Sequence, residues 1–68
     1  MAKSFVQHAE TGALHLEARR VDDKWYWFVE DSWTNTLVGS GTAPSLEKAR
    51  EQAEQVAGGK ADWYFTSS

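Results

Sequence analysis

The sequence predicts an α+β fold, with an antiparallel sheet of four to five strands and one helix packed on one face. Apolar and polar residues alternate through much of residues 5–42, which is typical of half-buried strands. From Pro44 to Gly59 the apolar residues recur instead at helical spacing. We expect the element order β-β-β-(β)-α-β in a single domain that covers residues 1–68, because a chain of this length leaves no room for a second domain.

The composition limits how so small a domain can be stabilised. A chain of 68 residues buries only about 60% of the surface that its unfolded form exposes. The sequence has no cysteine, which excludes disulfides and thiolate metal sites. It has four Trp, three Phe and two Tyr. Aromatic packing, an oligomer, or both are therefore expected to stabilise the fold.

The first half of the chain reads as a series of hairpins. Residues 5–8 form a short, weakly alternating segment that ends at the turn signal Glu10-Thr11-Gly12, and the pattern leaves open whether it joins the sheet. Residues 13–20 alternate clearly and predict a strand. Asp22-Asp23 predicts a turn, because short carboxylate side chains bond to their own backbone.

The run Trp25-Tyr26-Trp27-Phe28 is the most informative feature of the next strand, which we expect over residues 24–30. Side chains on a strand point alternately to opposite faces. Trp25 and Trp27 therefore share one face, and Tyr26 and Phe28 share the other. Because one helix covers one face, a large aromatic surface is left for water or for a partner.

The second half of the chain supplies one more hairpin strand, the helix and a final strand. Residues 36–42 predict a strand in which the glycines mark a bulge or a close backbone approach. Ser45 is the expected N-cap of the helix, and Gly58-Gly59 the expected stop. Residues 61–66 predict the last strand. We expect the helix stripe Leu46, Ala49, Ala53, Val56 and Ala57 to pack on Leu14, Leu16, Trp25, Trp27, Val29, Trp63 and Phe65.

The segment from Gly41 to Arg50, GTAPSLEKAR, joins a strand to a capped helix. It resembles the corresponding segment of HicB-type antitoxins and of double-stranded-RNA-binding-like folds. The resemblance covers about ten residues and consists mainly of the chemistry that begins a helix. It implies a β-β-β-α-β architecture and no functional residues.

Sequence motifs give no support for catalysis or for a cofactor. Ser40 lies between two glycines, but the G-x-S-x-G elbow is absent, and Pro44 occupies the third glycine position of a dinucleotide fingerprint. The adjacent carboxylates Asp22-Asp23 and Glu30-Asp31 fall at turns or strand ends, where carboxyl groups keep ordinary acidity. We therefore expect a protein that is not an enzyme and has no cofactor.

The two histidines are the only candidates for a metal site. His8 and His15 lie on different predicted segments and could approach each other across a hairpin, with Glu10 or Glu17 beside them. Their spacing matches no recognised ligand motif, so we expect ordinary surface imidazoles and no metal.

The aromatic residues on the uncovered face indicate a protein-binding function. Interfaces favour Tyr, Trp, Phe and Arg, and Trp33 in a polar loop is the residue that folding explains least. Trp33 could fold back over a sheet edge or anchor a partner. We expect self-association, with an inhibitor or adaptor of a phage or mobile element as a narrower possibility. The candidate contact residues are His15, Arg19, Tyr26, Phe28, Trp33 and Tyr64. The alternative, that these rings only shield one another by cross-strand pairing, stays open.

A second class of function, single-stranded nucleic-acid binding, follows from the same rings. Bases stack on aromatic sheet faces, and Arg19, Arg20 and Lys24 cluster near one turn, where they could contact phosphates. The formal net charge of −3 disfavours this reading. The sequence has no apolar run long enough to span a membrane and its N-terminus lacks the apolar core of a signal peptide, so we expect a cytoplasmic protein.

Overall fold

The predicted α+β fold is confirmed by the computed structural model, which describes residues 6–65. The strands and the helix are β1 (Val6–Thr11), β2 (Leu14–Val21), β3 (Lys24–Asp31), β4 (Thr36–Ala43), α1 (Leu46–Ala57) and β5 (Tyr64–Phe65). Phe5, Thr66 and the side chain of Phe65, for which the sequence made predictions, lie outside the described part.

The strands form one antiparallel sheet in the order β4-β3-β2-β1-β5. The first four strands are a meander, and after α1 the chain returns to the far edge, where β5 pairs with β1. The N-terminal segment therefore joins the sheet between two neighbours. It also runs further than predicted, because Gly12, at a φ of 60°, makes a tight turn with Ala13 that lets β1 continue to Thr11.

The other turns follow the expected chemistry. Asp22 adopts a φ of 58° in the predicted Asp22-Asp23 turn between β2 and β3. In the β3–β4 turn, the Asp31 carboxylate accepts hydrogen bonds from the backbone amides of Trp33 and Thr34. The pairing of β3 with β4 shifts by one residue between Val29 and Glu30, next to Gly39, which confirms a bulge in this strand.

The helix begins and ends where predicted. The Ser45 hydroxyl accepts a hydrogen bond from the Lys48 backbone N–H, and Gly58 ends the helix in the left-handed region at a φ of 91°. Ala49 and Ala53 are fully buried against the sheet, as the stripe predicts. Val56 departs from that stripe, because it lies over the edge strand β4 and stays 39% exposed.

Close contact between sheet and helix explains the two glycines of β4. A Cβ atom at Gly41 would lie 3.0–3.1 Å from the indole of Trp27, and one at Gly39 would lie 3.0 Å from a Val56 methyl group. The Trp27 indole Nε1 donates a 2.8 Å hydrogen bond to Gln52 of α1. The fully or largely buried apolar residues are Ala9, Leu16, Ala18, Trp27, Val29, Ala43, Ala49 and Ala53, with Leu14, Trp25, Leu46, Ala57 and Trp63 partly buried around them.

Polar contacts fix the helix and the C-terminal segment to the sheet. The Arg50 guanidinium donates to the Oε1 atom of buried Gln7 in β1. The Glu54 carboxylate accepts from the Ala61 backbone N–H and from the Trp63 indole. Residues 6–65 contain no helix that is long and apolar enough to cross a membrane.

Candidate functional site

The side chains that point away from α1 form what we call the helix-free face of the sheet. Strand register arranges them in rows across the strands. The central row consists of Tyr64, His8, Glu17, Phe28 and Ser40. The row nearer the β2–β3 turn contains Val6, Arg19, Tyr26 and Thr42, and the row on the other side contains Glu10, His15, Glu30 and Leu37.

Five of the six predicted contact residues lie on the helix-free face, and three of them are Tyr or Phe. Tyr26 and Tyr64 are 47% and 50% exposed, and Phe28 is half-buried. A chain of rings crosses the face: the centroid of His8 lies 5.8 Å from that of Tyr64 and 5.4 Å from that of His15, which lies 6.3 Å from Phe28. The structure therefore brings Arg19, His15, Tyr26, Phe28 and Tyr64 together.

Trp33, the sixth predicted contact residue, lies off the face in the β3–β4 turn. Its side chain is 87% exposed, so it does not fold back over a sheet edge. The Ser32 backbone N–H donates a 2.8 Å hydrogen bond to the Ala13 carbonyl, which ties this turn to the β1–β2 turn. Trp33 thus stands at the end of the sheet where Glu10 and Glu30 lie.

Glu17 occupies the middle of the face and is only 7% exposed. Its Oε2 atom accepts a 2.7 Å charge-assisted hydrogen bond from Arg19. Its Oε1 atom lies 3.4 Å from Nδ1 of His8 and 3.8 Å from Nε2 of His15. The sequence indicated the face of Glu17 but not its burial, which arises from neighbours on both adjoining strands.

Charge is unevenly distributed along the helix-free face. Lys24 and Arg19 lie towards the β2–β3 turn, whereas Glu10 and Glu30 lie towards the opposite end. Arg20 is paired with Trp25 and faces the other side of the sheet, where its Nε donates to the Asp22 carbonyl. The basic cluster expected from the sequence is therefore divided between the two faces.

Two exposed aliphatic residues of β4 were missed by sequence reasoning. Leu37, opposite Glu30 on the helix-free face, and Val38, at the bulge, are both largely exposed on this edge strand. The bulge breaks the alternation from which the face of a strand residue is predicted. Exposed apolar side chains therefore also occur on the β4 edge strand, apart from the rings.

An open groove of about 650 Å³ lies between α1 and residues 60–63. It is lined by Arg50, Glu54, Trp63 and neighbouring charged residues. These groups already bind within the chain: Arg50 donates to Gln7 and lies 5.8 Å from the Trp63 ring, and Glu54 accepts from Trp63. The groove thus serves the packing of the C-terminal segment.

The helix-free face is accordingly the strongest candidate for a functional site, because its exposed rings and separated charges are not required to pack the helix. Comparison with known proteins adds no family to this description, since no family model, no curated protein and no solved structure matches the chain.

Proposed function

We propose that this chain is a non-catalytic protein-binding module that uses the helix-free face, and that it binds a second copy of itself to form a homodimer. The observation that supports this most directly is the half exposure of Tyr26 and Tyr64 on a face that no element of residues 6–65 covers. Tyrosine, with an apolar ring and a polar end, is enriched at protein interfaces.

Mutual shielding of the rings does not account for both tyrosines. Tyr64, on β5, stacks on His8 at one edge of the sheet, whereas Tyr26 lies on β3, three strands away from β5. Each keeps about half of its surface exposed despite the neighbours it has. The exposed rings therefore remain available for contact with another molecule.

The charge distribution favours a second copy as the partner. A twofold axis parallel to the sheet and perpendicular to its strands lays the Arg19 and Lys24 end of one face on the Glu10 and Glu30 end of the other. The central row then faces its own copy. Two antiparallel sheets stacked in this way form a sandwich, a common arrangement of sheet faces. The opposite charges would align the copies and disfavour the reversed orientation.

A charge reversal tests this arrangement. We expect sedimentation equilibrium to show a dimer that weakens with added salt. Glu30→Lys should weaken the dimer at least tenfold, because it sets like charges against each other across the axis. Glu51→Lys makes the same change on the exposed side of α1 and should leave the dimer unchanged. The double variant Lys24→Glu with Glu30→Lys should regain part of the lost affinity.

Two results would contradict the proposal. One is a wild-type chain that stays monomeric at about 1 mM, where any dissociation constant below millimolar would be detected. The other is a dimer that tolerates single replacement of Tyr26, Phe28 and Trp33 without loss of affinity.

We place the action of the protein in the cytoplasm, which suits a cysteine-free sequence. The narrower proposal, an inhibitor or adaptor of a phage or mobile element, has the compact acidic chain as its only support. Such a partner would compete with the second copy for the helix-free face. Its binding should therefore be reduced by Tyr26→Ser and, in sedimentation, should replace the homodimer by a complex of one chain with the partner.

Single-stranded nucleic acid, the alternative class, gains no support from the charges of the face. Glu10, Glu17 and Glu30 share it with Arg19, and Arg20 faces the opposite side. We expect no binding of fluorescent oligonucleotides at low salt, where electrostatic affinity is greatest. Saturable binding that Tyr26→Ser abolishes would favour this alternative over the homodimer.

A further inference from the structure

Three side chains with metal-ligating atoms converge on the helix-free face. His8 of β1 and His15 and Glu17 of β2 each offer one ligand atom, and these atoms all lie within 4.8 Å of one another. No cysteine is present to form a thiolate site, so two imidazoles and one carboxylate are the ligand set.

Strand register explains the convergence. His8 lies directly opposite Glu17, and His15 lies on the same face two residues before Glu17 in β2. His15 is therefore a diagonal neighbour of His8 across one hairpin. All three positions are on paired strands, which hold a site more exactly than loops do. The number of residues between His8 and His15 matches no known ligand motif, because it is the pairing of β1 with β2 that brings the ligands together.

The distances fit a common ion better than they fit hydrogen bonds. The Oε1 atom of Glu17 lies 3.4 Å from Nδ1 of His8 and 3.8 Å from Nε2 of His15. Both separations exceed the usual 2.7–3.2 Å of N–H···O hydrogen bonds. Ligand atoms about 2.0–2.1 Å from a tetrahedral zinc ion are roughly 3.4 Å apart. The three ligand atoms, all within 4.8 Å of one another, would therefore have to draw closer together around the ion.

A neighbouring residue already orients one of the three ligands. Arg19 donates to Oε2 of Glu17, which holds the carboxylate and leaves Oε1 directed at the imidazoles. The Glu10 carboxylate lies 3.8 Å from Nδ1 of His15. That separation is too long for a hydrogen bond, but zinc binding at Nε2 of His15 would leave the proton on Nδ1, directed towards Glu10, an arrangement common around metal-bound histidines.

We propose that His8, His15 and Glu17 bind one Zn²⁺ ion. Imidazole suits zinc, whereas magnesium and calcium prefer all-oxygen ligands. Three protein ligands leave a fourth position open to water or to an exchangeable ligand. The ion also supplies positive charge to a carboxylate that is nine-tenths buried. This site goes beyond the protein-binding function and does not depend on it, since all three ligands belong to one chain.

Calorimetric titration with ZnCl₂ tests the site, using the full chain without a histidine tag in metal-free buffer at neutral pH. We expect one ion per chain. His8→Gln, His15→Gln and Glu17→Gln should each weaken binding at least tenfold, and acidification should weaken it because protons compete for the imidazoles. Glu51→Gln removes the same charge from the exposed side of α1 and should leave the affinity unchanged.

A second measurement needs no variant that could fail to fold. The chain has two histidines, so its imidazole NMR signals report on the site alone. Both rings should shift together and saturate at one equivalent of Zn²⁺. Measuring a dilute sample in which the chain is monomeric separates this result from self-association: a monomer that binds zinc supports the site even if the homodimer proposal fails.

Three outcomes would overturn the zinc site. The first is no saturable zinc binding by the wild-type chain. The second is binding that folded His8→Gln retains at full strength. The third is binding that leaves either imidazole unshifted, which would place the ion elsewhere.

Discussion

The two faces of the sheet are built from the same strands but carry different kinds of contact. On the covered face, Leu16, Val29 and two of the three alanines of α1 are fully buried. Trp27 is held there by its hydrogen bond to Gln52 and by close contact with the backbone of Gly41. On the helix-free face, rings are half exposed and a buried carboxylate sits among polar groups. Trp27 and Phe28 are neighbours in sequence, yet one packs the helix and the other lies on the open side.

We therefore expect the covered face to determine stability and the exposed rings of the helix-free face to determine association. Substitutions on the covered face should change the free energy of unfolding, because they remove buried contacts or insert atoms where no space exists. Substitutions of exposed rings on the helix-free face should instead change association.

The largest effect is expected from Trp27→Ala. Removing this buried ring should lower the free energy of unfolding by about 3–5 kcal/mol, enough to unfold much of so small a domain. Trp33→Ala removes the same side chain from the exposed turn and should change stability by less than about 0.5 kcal/mol. Urea denaturation followed by circular dichroism measures both without depending on Trp fluorescence. Equal losses in the two variants would show that the buried Trp27 contributes no more to stability than a Trp in an exposed turn.

Gly41→Ala should lower the free energy of unfolding by a smaller amount, up to about 3 kcal/mol. The added methyl group would lie 3.0–3.1 Å from the Trp27 indole, whose position is fixed by its hydrogen bond to Gln52. Gly59→Ala, after the end of α1, has no atom within 4 Å of the new carbon and should be close to neutral. Thermal unfolding of the two variants compares them directly. A fully stable Gly41→Ala would mean that the indole can move away at little cost.

The hydrogen bond between the Trp27 indole and Gln52 provides a third comparison. Gln52→Leu leaves the Trp27 indole N–H without its acceptor and should cost about 1–2 kcal/mol. Gln55→Leu makes the same change at an exposed position of α1 and serves as the control. Denaturant midpoints of the two variants measure the difference. No difference between them would show that water replaces the Gln52 acceptor.

Local signals in the sequence were sufficient to predict most of the fold. Strand alternation, the Ser45 cap and the Gly58 stop depend on residues that are close in the chain, so they could be read directly. The position of β5 beside β1 could not, because its partner lies at the other end of the chain and pairing has no local marker. The exposure of Val56 likewise depends on where α1 crosses β4.

The candidate site was predicted only in part, for the same physical reason. The alternation of side chains along β3 was enough to predict that Tyr26 and Phe28 lie on the helix-free face, because that pattern depends only on neighbouring residues. The burial of Glu17 needs the register of β1 and β3 on both sides of β2, which the sequence does not specify. The sequence indicated that His8 and His15 could approach across the hairpin with Glu10 or Glu17 beside them, and the structure selects Glu17, whose Oε1 lies near both imidazoles.

The smallest effect on stability, and the one that most sharply separates the two faces, is expected from Tyr26→Ser. Its ring is half exposed and lies outside the apolar core but has cross-strand neighbours, so the free energy of unfolding should fall by about 1 kcal/mol or less. If the ring is an anchor of the homodimer, the same substitution should weaken association at least tenfold, since anchor residues commonly contribute more than about 1.4 kcal/mol. Denaturation in dilute solution and sedimentation of the concentrated sample measure the two quantities separately. A variant that loses stability but not association would assign Tyr26 to folding, and the open face would then lose its main argument for recognition.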